Sequence, residues 1–123
     1  MNRFKIDIDT RARTPYYYYD MELLDRTLEL AQEAASSYGY HLHYAMKANP
    51  NEEIISKVIA AGYGADCVSG NEVASALKLG LTPEHIVFAG VGKTDWEIEY
   101  ALENDVFCLN VESLQEIEVI QEV

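Results

Sequence analysis

The unit that decides the fold of this chain is the stretch 65–72, which reads ADCVSGNE. Its first half is a short, mostly apolar run typical of a β-strand, and its second half is Ser-x-x-Glu, the pattern of a helix capping box. In such a box the Ser69 hydroxyl accepts from an amide of the first helical turn, while the Glu72 carboxylate reaches back to an amide before it. The stretch therefore predicts a strand that is followed directly by a helix.

The same unit recurs along the chain. Further strand-like runs are predicted at 41–45, 86–89 and 106–111, and the centres of the four runs lie 21 to 23 residues apart. Each run is followed by a capping pattern: Asn49 to Glu52, Ser69 to Glu72, Thr94 to Glu97 and Ser113 to Glu116. The first three helices are predicted to end at Gly62, Gly80 and Asn104, residue types that tolerate left-handed backbone, and the fourth at Val123.

Alternating strands and helices with short connections predict an α/β fold with a parallel sheet, because the helix supplies the crossover that a parallel neighbour requires. Before this repeat, Tyr16 to Tyr19 form a lead-in strand-like run, and Asp20 is predicted to cap a helix that continues through Tyr38 and ends at Gly39. The apolar face of that helix is predicted to contain Met21, Leu24, Leu28, Ala31 and Ala35.

Composition excludes several classes of protein. The 123 residues are 49% apolar and 24% charged, as in ordinary globular domains. The net charge of −12 disfavours binding to nucleic acids and to anionic membrane surfaces. No apolar run approaches the roughly 18 residues of a membrane span or resembles an export signal, which predicts the cytoplasm. Cys67 and Cys108 are isolated from each other and from the histidines, so both are interpreted as reduced core residues and no metal site is predicted.

Lys47 is the most informative candidate for chemistry. Ligands of parallel α/β folds gather at the C-terminal ends of the strands, and Lys47 closes the first predicted strand. A partly buried lysine there would have a lowered pKa and a usable lone pair, as imine formation with an aldehyde requires. The alternative is a strand-end lysine that is simply solvated.

Other candidates lie at the same predicted edge. Asp66 interrupts an apolar run and must be paired or solvated, whereas the capping role suffices to explain Glu72. The segment Gly90-Val91-Gly92-Lys93 is not a phosphate-binding P-loop, because Val87 occupies the position of the required first glycine. Its glycines fit a tight turn better than an anion site, and Lys93 is either a cation on the substrate side of an active site or a surface residue.

Three segments together resemble the diaminopimelate decarboxylases of the alanine-racemase-like fold, a class of enzymes that use pyridoxal phosphate. They read TPYYYYD at 14–20, YAMKAN at 44–49 and ADCVSGNE at 65–72, and the pieces at 87–94 and 110–113 continue the match. The resemblance implies the first half of a (β/α)8 TIM-type barrel over residues 21–123. It also implies that the lead-in segment 1–20 contributes a strand to the family's second domain. A complete barrel of this kind takes about 250 residues, so the sequence is expected to be an N-terminal portion that is inactive alone.

The resemblance also implies the chemistry. Lys47 would form the internal aldimine with pyridoxal 5'-phosphate, and Asp66, Ser69 and Glu72 would lie on the cofactor side. Lys93 is a candidate for the substrate side because of its strand-end position. The family reaction converts meso-diaminopimelate to L-lysine and carbon dioxide, and the full-length enzyme is expected to be a homodimer. The alternatives are decarboxylation of ornithine, arginine or carboxynorspermidine, alanine racemisation, a non-catalytic pyridoxal-phosphate carrier, or a plain interaction module.

Overall fold

The repeat of strand and helix is present in the structure, a computed structural model that describes residues 13–123. Four parallel strands, β1 (His43–Ala45), β2 (Gly64–Cys67), β3 (Ile86–Phe88) and β4 (Cys108–Leu109), form one sheet in chain order. The helices are α1 (Met21–Ser36), α2 (Glu52–Ala60), α3 (Gly70–Lys78), α4 (Asp95–Glu103) and α5 (Leu114–Glu122). The predicted parallel α/β fold is therefore confirmed.

The helices α2, α3 and α4 pack on one face of the sheet. On this face, β2 and β3 contribute four buried side chains, those of Ala65, Cys67, Ile86 and Phe88. They share a core with apolar residues of the three helices. The contributing helix residues are Ile55, Val73, Ala76 and Ala101. Because strand side chains alternate between faces, the residues between these strand positions lie on the opposite face.

That opposite face, called here the open face, is marked by one row of residues in register. Ala45 pairs with Asp66, Asp66 with Val87, and Val87 with Cys108. All four are only half-buried within the described part of the chain. Cys108 is thus not the core residue that the sequence predicted, whereas Cys67 is fully buried.

The helix starts follow the predicted caps with one exception. Ser69, Thr94 and Ser113 occupy the N-cap positions of α3, α4 and α5, as predicted. The first cap is Asn51, not Asn49, because the Asn51 side chain accepts from the amides of Glu53 and Ile54. A pattern search cannot separate two asparagines this close in sequence.

The helix ends differ from the prediction after α1, which ends at Ser36 and not at Tyr38, and after α4. Gly62 and Gly80 have positive φ after α2 and α3, as predicted. After α4 the left-handed residue is Asp105, with φ 52°, while Asn104 keeps a φ of −97°. The side chain of Asn104 instead donates to the Tyr100 carbonyl at 2.8 Å, so it caps the helix through its amide group.

The lead-in segment before α1 differs more from its prediction than the helix ends do. Tyr16 to Tyr19 are exposed and pair with no strand among residues 13–123, so the predicted lead-in strand is absent from the described residues. A strand requires a neighbour for its backbone hydrogen bonds, and the described chain offers none here. Asp20 caps α1 as predicted, since its carboxylate accepts from the Leu23 amide at 2.9 Å. Of the predicted apolar face of α1, Leu28 and Ala35 are buried, whereas Ala31 is exposed. The part of the predicted segment 1–20 that precedes residue 13 lies outside the described residues.

Among residues 13–123, none of the helices combines the length and the apolar character that crossing a membrane would require.

Candidate active site

Lys47 lies directly after β1, in the short 3-10 turn Met46–Ala48. Met46 is buried in the core, with 1% of its surface exposed, and therefore anchors the start of this turn. The Lys47 side chain is exposed, so the sheltered environment expected for it is not provided by residues 13–123. The turn thus combines a fixed backbone with an accessible primary amine at the C-terminal edge of the sheet.

Asp66 lies at the third position of β2, on the open face, in register with Ala45 and Val87. Its side chain is half-buried, and among residues 13–123 no hydrogen bond or ion pair uses its carboxylate. Lys47 follows its register partner Ala45 by two residues, so the amine and the carboxylate belong to the same end of two adjacent strands. Their predicted placement at one sheet edge is therefore observed, and the roles assigned to them remain predictions.

Ser69 and Glu72 hold the N-terminus of α3. The Ser69 hydroxyl accepts from the Glu72 amide at 3.3 Å, and the Glu72 carboxylate accepts from the Val68 amide at 2.8 Å. The structure shows the capping role of Ser69 and Glu72, and their cofactor-side role remains a prediction.

The Cys67 thiol lies next to this cap. Burial, reinforced by the nearby Glu72 and Asp66 charges, raises the pKa of the Cys67 thiol to about 12, so this thiol stays protonated at neutral pH.

Glu97 forms a long-range hydrogen bond that the sequence did not predict. It completes the capping box of α4 by accepting from the Thr94 amide and hydroxyl, at 3.0 and 2.7 Å. Its other oxygen accepts from the Gly70 amide at 2.7 Å, which ties the start of α4 to the start of α3. Burial alone would raise the Glu97 pKa, but the hydrogen bonds from Gly70 and Thr94 outweigh it and lower the pKa. The local capping pattern predicts the hydrogen bonds of Glu97 with Thr94 but not the one with Gly70.

Lys93 is neither a surface residue nor a free cation. Only 1% of its side chain is exposed, and its ammonium donates to the Gly90 carbonyl at 2.8 Å and to the Asn110 carbonyl at 2.7 Å. The third donor forms an ion pair with the Glu116 carboxylate at 2.6 Å. All three donors are thus used within the protein, so the surface alternative is wrong and the geometry favours a structural role over contact with substrate.

The buried ion pair of Lys93 and Glu116 connects three segments of the chain at the C-terminal edge of the sheet. Gly90 follows β3, Asn110 follows β4, and Glu116 lies in the first turn of α5, where its second oxygen accepts from the Glu112 amide at 2.7 Å. The Lys93 ammonium therefore fixes the ends of two strands to the start of a helix.

The Glu116 carboxylate is expected to make stability depend on pH. The hydrogen bond from Lys93 and the amide of Glu112 lower its pKa in the folded state. The resulting stabilisation is fully present above the unfolded pKa of about 4.3 and is lost as the pH falls through the lower folded value. Urea unfolding from pH 7 to 3 should show a smaller loss of stability in Glu116→Gln than in the wild type. An identical pH dependence in the two proteins would contradict this role of Glu116.

A family model described as "Pyridoxal-dependent decarboxylase, pyridoxal binding domain" matches residues 22–123. The match begins within α1 and includes all four strands.

Individual relatives agree with the family model. Diaminopimelate decarboxylase of Bacteroides thetaiotaomicron is 49% identical over 121 residues, which are 98% of this chain and 31% of the relative. A crystal structure of diaminopimelate decarboxylase from Helicobacter pylori complexed with L-lysine is 42% identical, with a TM-score of 0.82 over 91% of this chain and 28% of that one. Ornithine decarboxylase from Entamoeba histolytica is 26% identical, with a TM-score of 0.71 over 80% of this chain and 31% of that one. The chain thus spans less than a third of the length of these relatives.

Proposed function

Because this chain belongs to the pyridoxal-dependent decarboxylases and matches their pyridoxal-binding domain, we propose that it binds pyridoxal 5'-phosphate covalently through Lys47. The observation that supports this assignment is the exposed amine of Lys47, held at the C-terminal edge of a parallel sheet by a turn with a buried anchor. This edge is where α/β proteins bind ligands.

The side chains around this edge fit an aldehyde cofactor. Lys47 offers a primary amine, which is the group that can attack an aldehyde carbon once it is unprotonated. Asp66 offers a carboxylate on the open face that no described residue uses, and it can hold a proton or a cationic group of a ligand. Ser69, Glu72 and Glu97 hold the neighbouring helix starts in place. When bound, pyridoxal phosphate supplies the electron sink that the decarboxylation of an amino acid requires.

For a protein of the relatives' length, we propose the reaction that gives L-lysine and carbon dioxide from meso-diaminopimelate. The identity to two diaminopimelate decarboxylases is 49% and 42%, against 26% to the ornithine decarboxylase, and this difference favours diaminopimelate over ornithine. A cytoplasmic location and a homodimeric full-length form remain parts of the proposal.

Lys47→Ala is expected to abolish covalent attachment of pyridoxal phosphate. The substitution removes the only atom proposed to bond to the aldehyde, so the visible absorbance change on titration with the cofactor should disappear. The matched control is Lys78→Ala, which removes an amine at the end of α3 that is 75% exposed. This control should titrate like the wild type.

Two other outcomes would count against the proposal. An unchanged titration of Lys47→Ala would place the attachment elsewhere. A plain interaction module would be favoured if pyridoxal phosphate caused no absorbance change in the wild-type chain. The same result would have to hold for a form of the protein as long as its relatives.

A further inference from the structure

The turn that carries Lys47 is followed by Asn49, which forms three hydrogen bonds. The Tyr44 hydroxyl, from β1, donates to the Asn49 carbonyl at 3.3 Å. The Asn49 side-chain amide donates to the Tyr19 hydroxyl at 3.2 Å, and its carbonyl oxygen accepts from the Asn51 amide at 3.1 Å. Asn49 therefore uses its backbone carbonyl and both ends of its side chain. Tyr44 and Asn51 are its neighbours in sequence, whereas Tyr19 lies 30 residues away.

These contacts involve the residue that follows the turn, whereas the buried anchor Met46 begins it. Met46 precedes Lys47 and is buried in the core, whereas Asn49 follows the turn and is held by the two tyrosines. Lys47 lies between these two fixed points, and its own side chain remains exposed. The backbone of the lysine is thus restrained on both sides while its amine stays accessible.

From this arrangement we infer that Tyr19, Tyr44 and Asn49 form a clamp that positions the Lys47 amine for attack on the aldehyde of pyridoxal phosphate. The three residues act through the backbone and are positioning residues. The inference rests on the proposed function of Lys47, and it assigns a role to Tyr19, for which the sequence indicated no chemistry. A preorganised amine forms the covalent bond without first paying the entropy of ordering its turn.

The protonation of Tyr44 agrees with this role. Burial raises the pKa of the Tyr44 hydroxyl, the hydrogen bond to Asn49 opposes this shift, and the nearby Tyr19 hydroxyl adds to it. Tyr44 therefore remains a protonated donor at neutral pH. The two hydroxyls meet at one asparagine, so the loss of either one should loosen the same turn.

The test compares Tyr19→Phe and Tyr44→Phe with Tyr18→Phe as the matched control. Each change removes one hydroxyl, and Tyr18 forms no hydrogen bond with any residue in the range 13–123. Backbone amide hydrogen exchange is measured at residues 47–49 and, for comparison, in the buried strand β2. The clamp predicts about fivefold faster exchange at 47–49 in Tyr19→Phe and Tyr44→Phe, the factor expected for one neutral hydrogen bond, with β2 unchanged.

The second readout separates positioning from general stability. Binding of pyridoxal phosphate is compared with binding of pyridoxamine phosphate, which has the same ring and phosphate but no aldehyde. The clamp predicts that Tyr19→Phe weakens pyridoxal phosphate about fivefold and leaves pyridoxamine phosphate unchanged. Equal weakening of both ligands, or exchange that increases throughout β2, would overturn the inference in favour of a general structural role.

The remaining outcomes are also decisive. Exchange at 47–49 that matches the Tyr18→Phe control would overturn the clamp. If the wild-type chain does not attach pyridoxal phosphate at all, the proposed function of Lys47 fails and the inferred positioning for aldehyde attack fails with it. The exchange data would then show whether the hydrogen bonds still hold the turn.

Discussion

Lys93→Met is expected to lower the free energy of unfolding by about 3–5 kcal/mol, the cost of leaving a buried charge without its partner. The substitution keeps the length and apolar stem of the side chain but leaves the Glu116 carboxylate and the Gly90 and Asn110 carbonyls without their shared donor. The size of this effect follows from the burial of the ion pair, since the Lys93 and Glu116 side chains are only 1% and 14% exposed. Urea unfolding followed by circular dichroism measures it.

The chain contains a matched control for this prediction. Lys78 forms an ion pair with Glu52 at 3.4 Å, but the two side chains are 75% and 67% exposed. Because solvent screens such pairs, Lys78→Met should change the free energy of unfolding by less than about 1 kcal/mol. Similar losses in the two variants would contradict a special role for the buried pair.

Gly64→Ala is expected to cost about 3 kcal/mol, at the upper end of the usual range for overpacking a well-packed site. A Cβ atom on Gly64 would lie 2.5 and 2.7 Å from the Cδ2 and Nε2 atoms of His43, its partner in the β1–β2 register, and against the carbonyl oxygen of His85. The His43 ring could rotate away, but the His85 carbonyl belongs to the backbone just before β3. The first residue of β2 must therefore be glycine for three strands to approach one another here.

Gly92→Ala is the control for this prediction. A Cβ atom there meets nothing within 4 Å, and the φ of Gly92 lies outside the left-handed range. It should be neutral or stabilise the protein by up to about 1 kcal/mol through the unfolded state. In a His43→Ala background Gly64→Ala should still destabilise the protein, since the His85 carbonyl remains, and full relief there would contradict the account.

The parallel fold was predictable from the sequence because each strand is followed by a local cap and each helix by a residue that ends it. Ser69, Thr94 and Ser113 show this, since a cap depends on residues only three apart in the chain. Asn51 and Asp105 were missed because neighbouring residues have nearly the same local preferences. Tyr16 to Tyr19 form no strand among the described residues, because strand formation depends on a partner that local sequence does not specify, and their place in a second domain stays a prediction.

The candidate site was predictable only where it depends on strand order. Lys47 and Asp66 were expected at one sheet edge, and the register of β1 with β2 places them there. The burial of Lys93 depends on Gly90, Asn110 and Glu116, whose spacing in sequence carries no pattern. The contact of Glu97 with Gly70 likewise spans 27 residues. Long-range hydrogen bonds of this kind follow from tertiary packing, which composition and periodicity do not encode locally.

Peptide mapping shows whether the amine of Lys47, just after β1, captures pyridoxal phosphate. The chain is mixed with pyridoxal phosphate, the attachment is fixed with borohydride, and the digested peptides are sequenced by mass spectrometry. We predict the pyridoxyl group on the peptide that contains Lys47, at a level well above that on the exposed Lys78. A label distributed equally over the exposed lysines, or concentrated on a lysine other than Lys47, would contradict the claim.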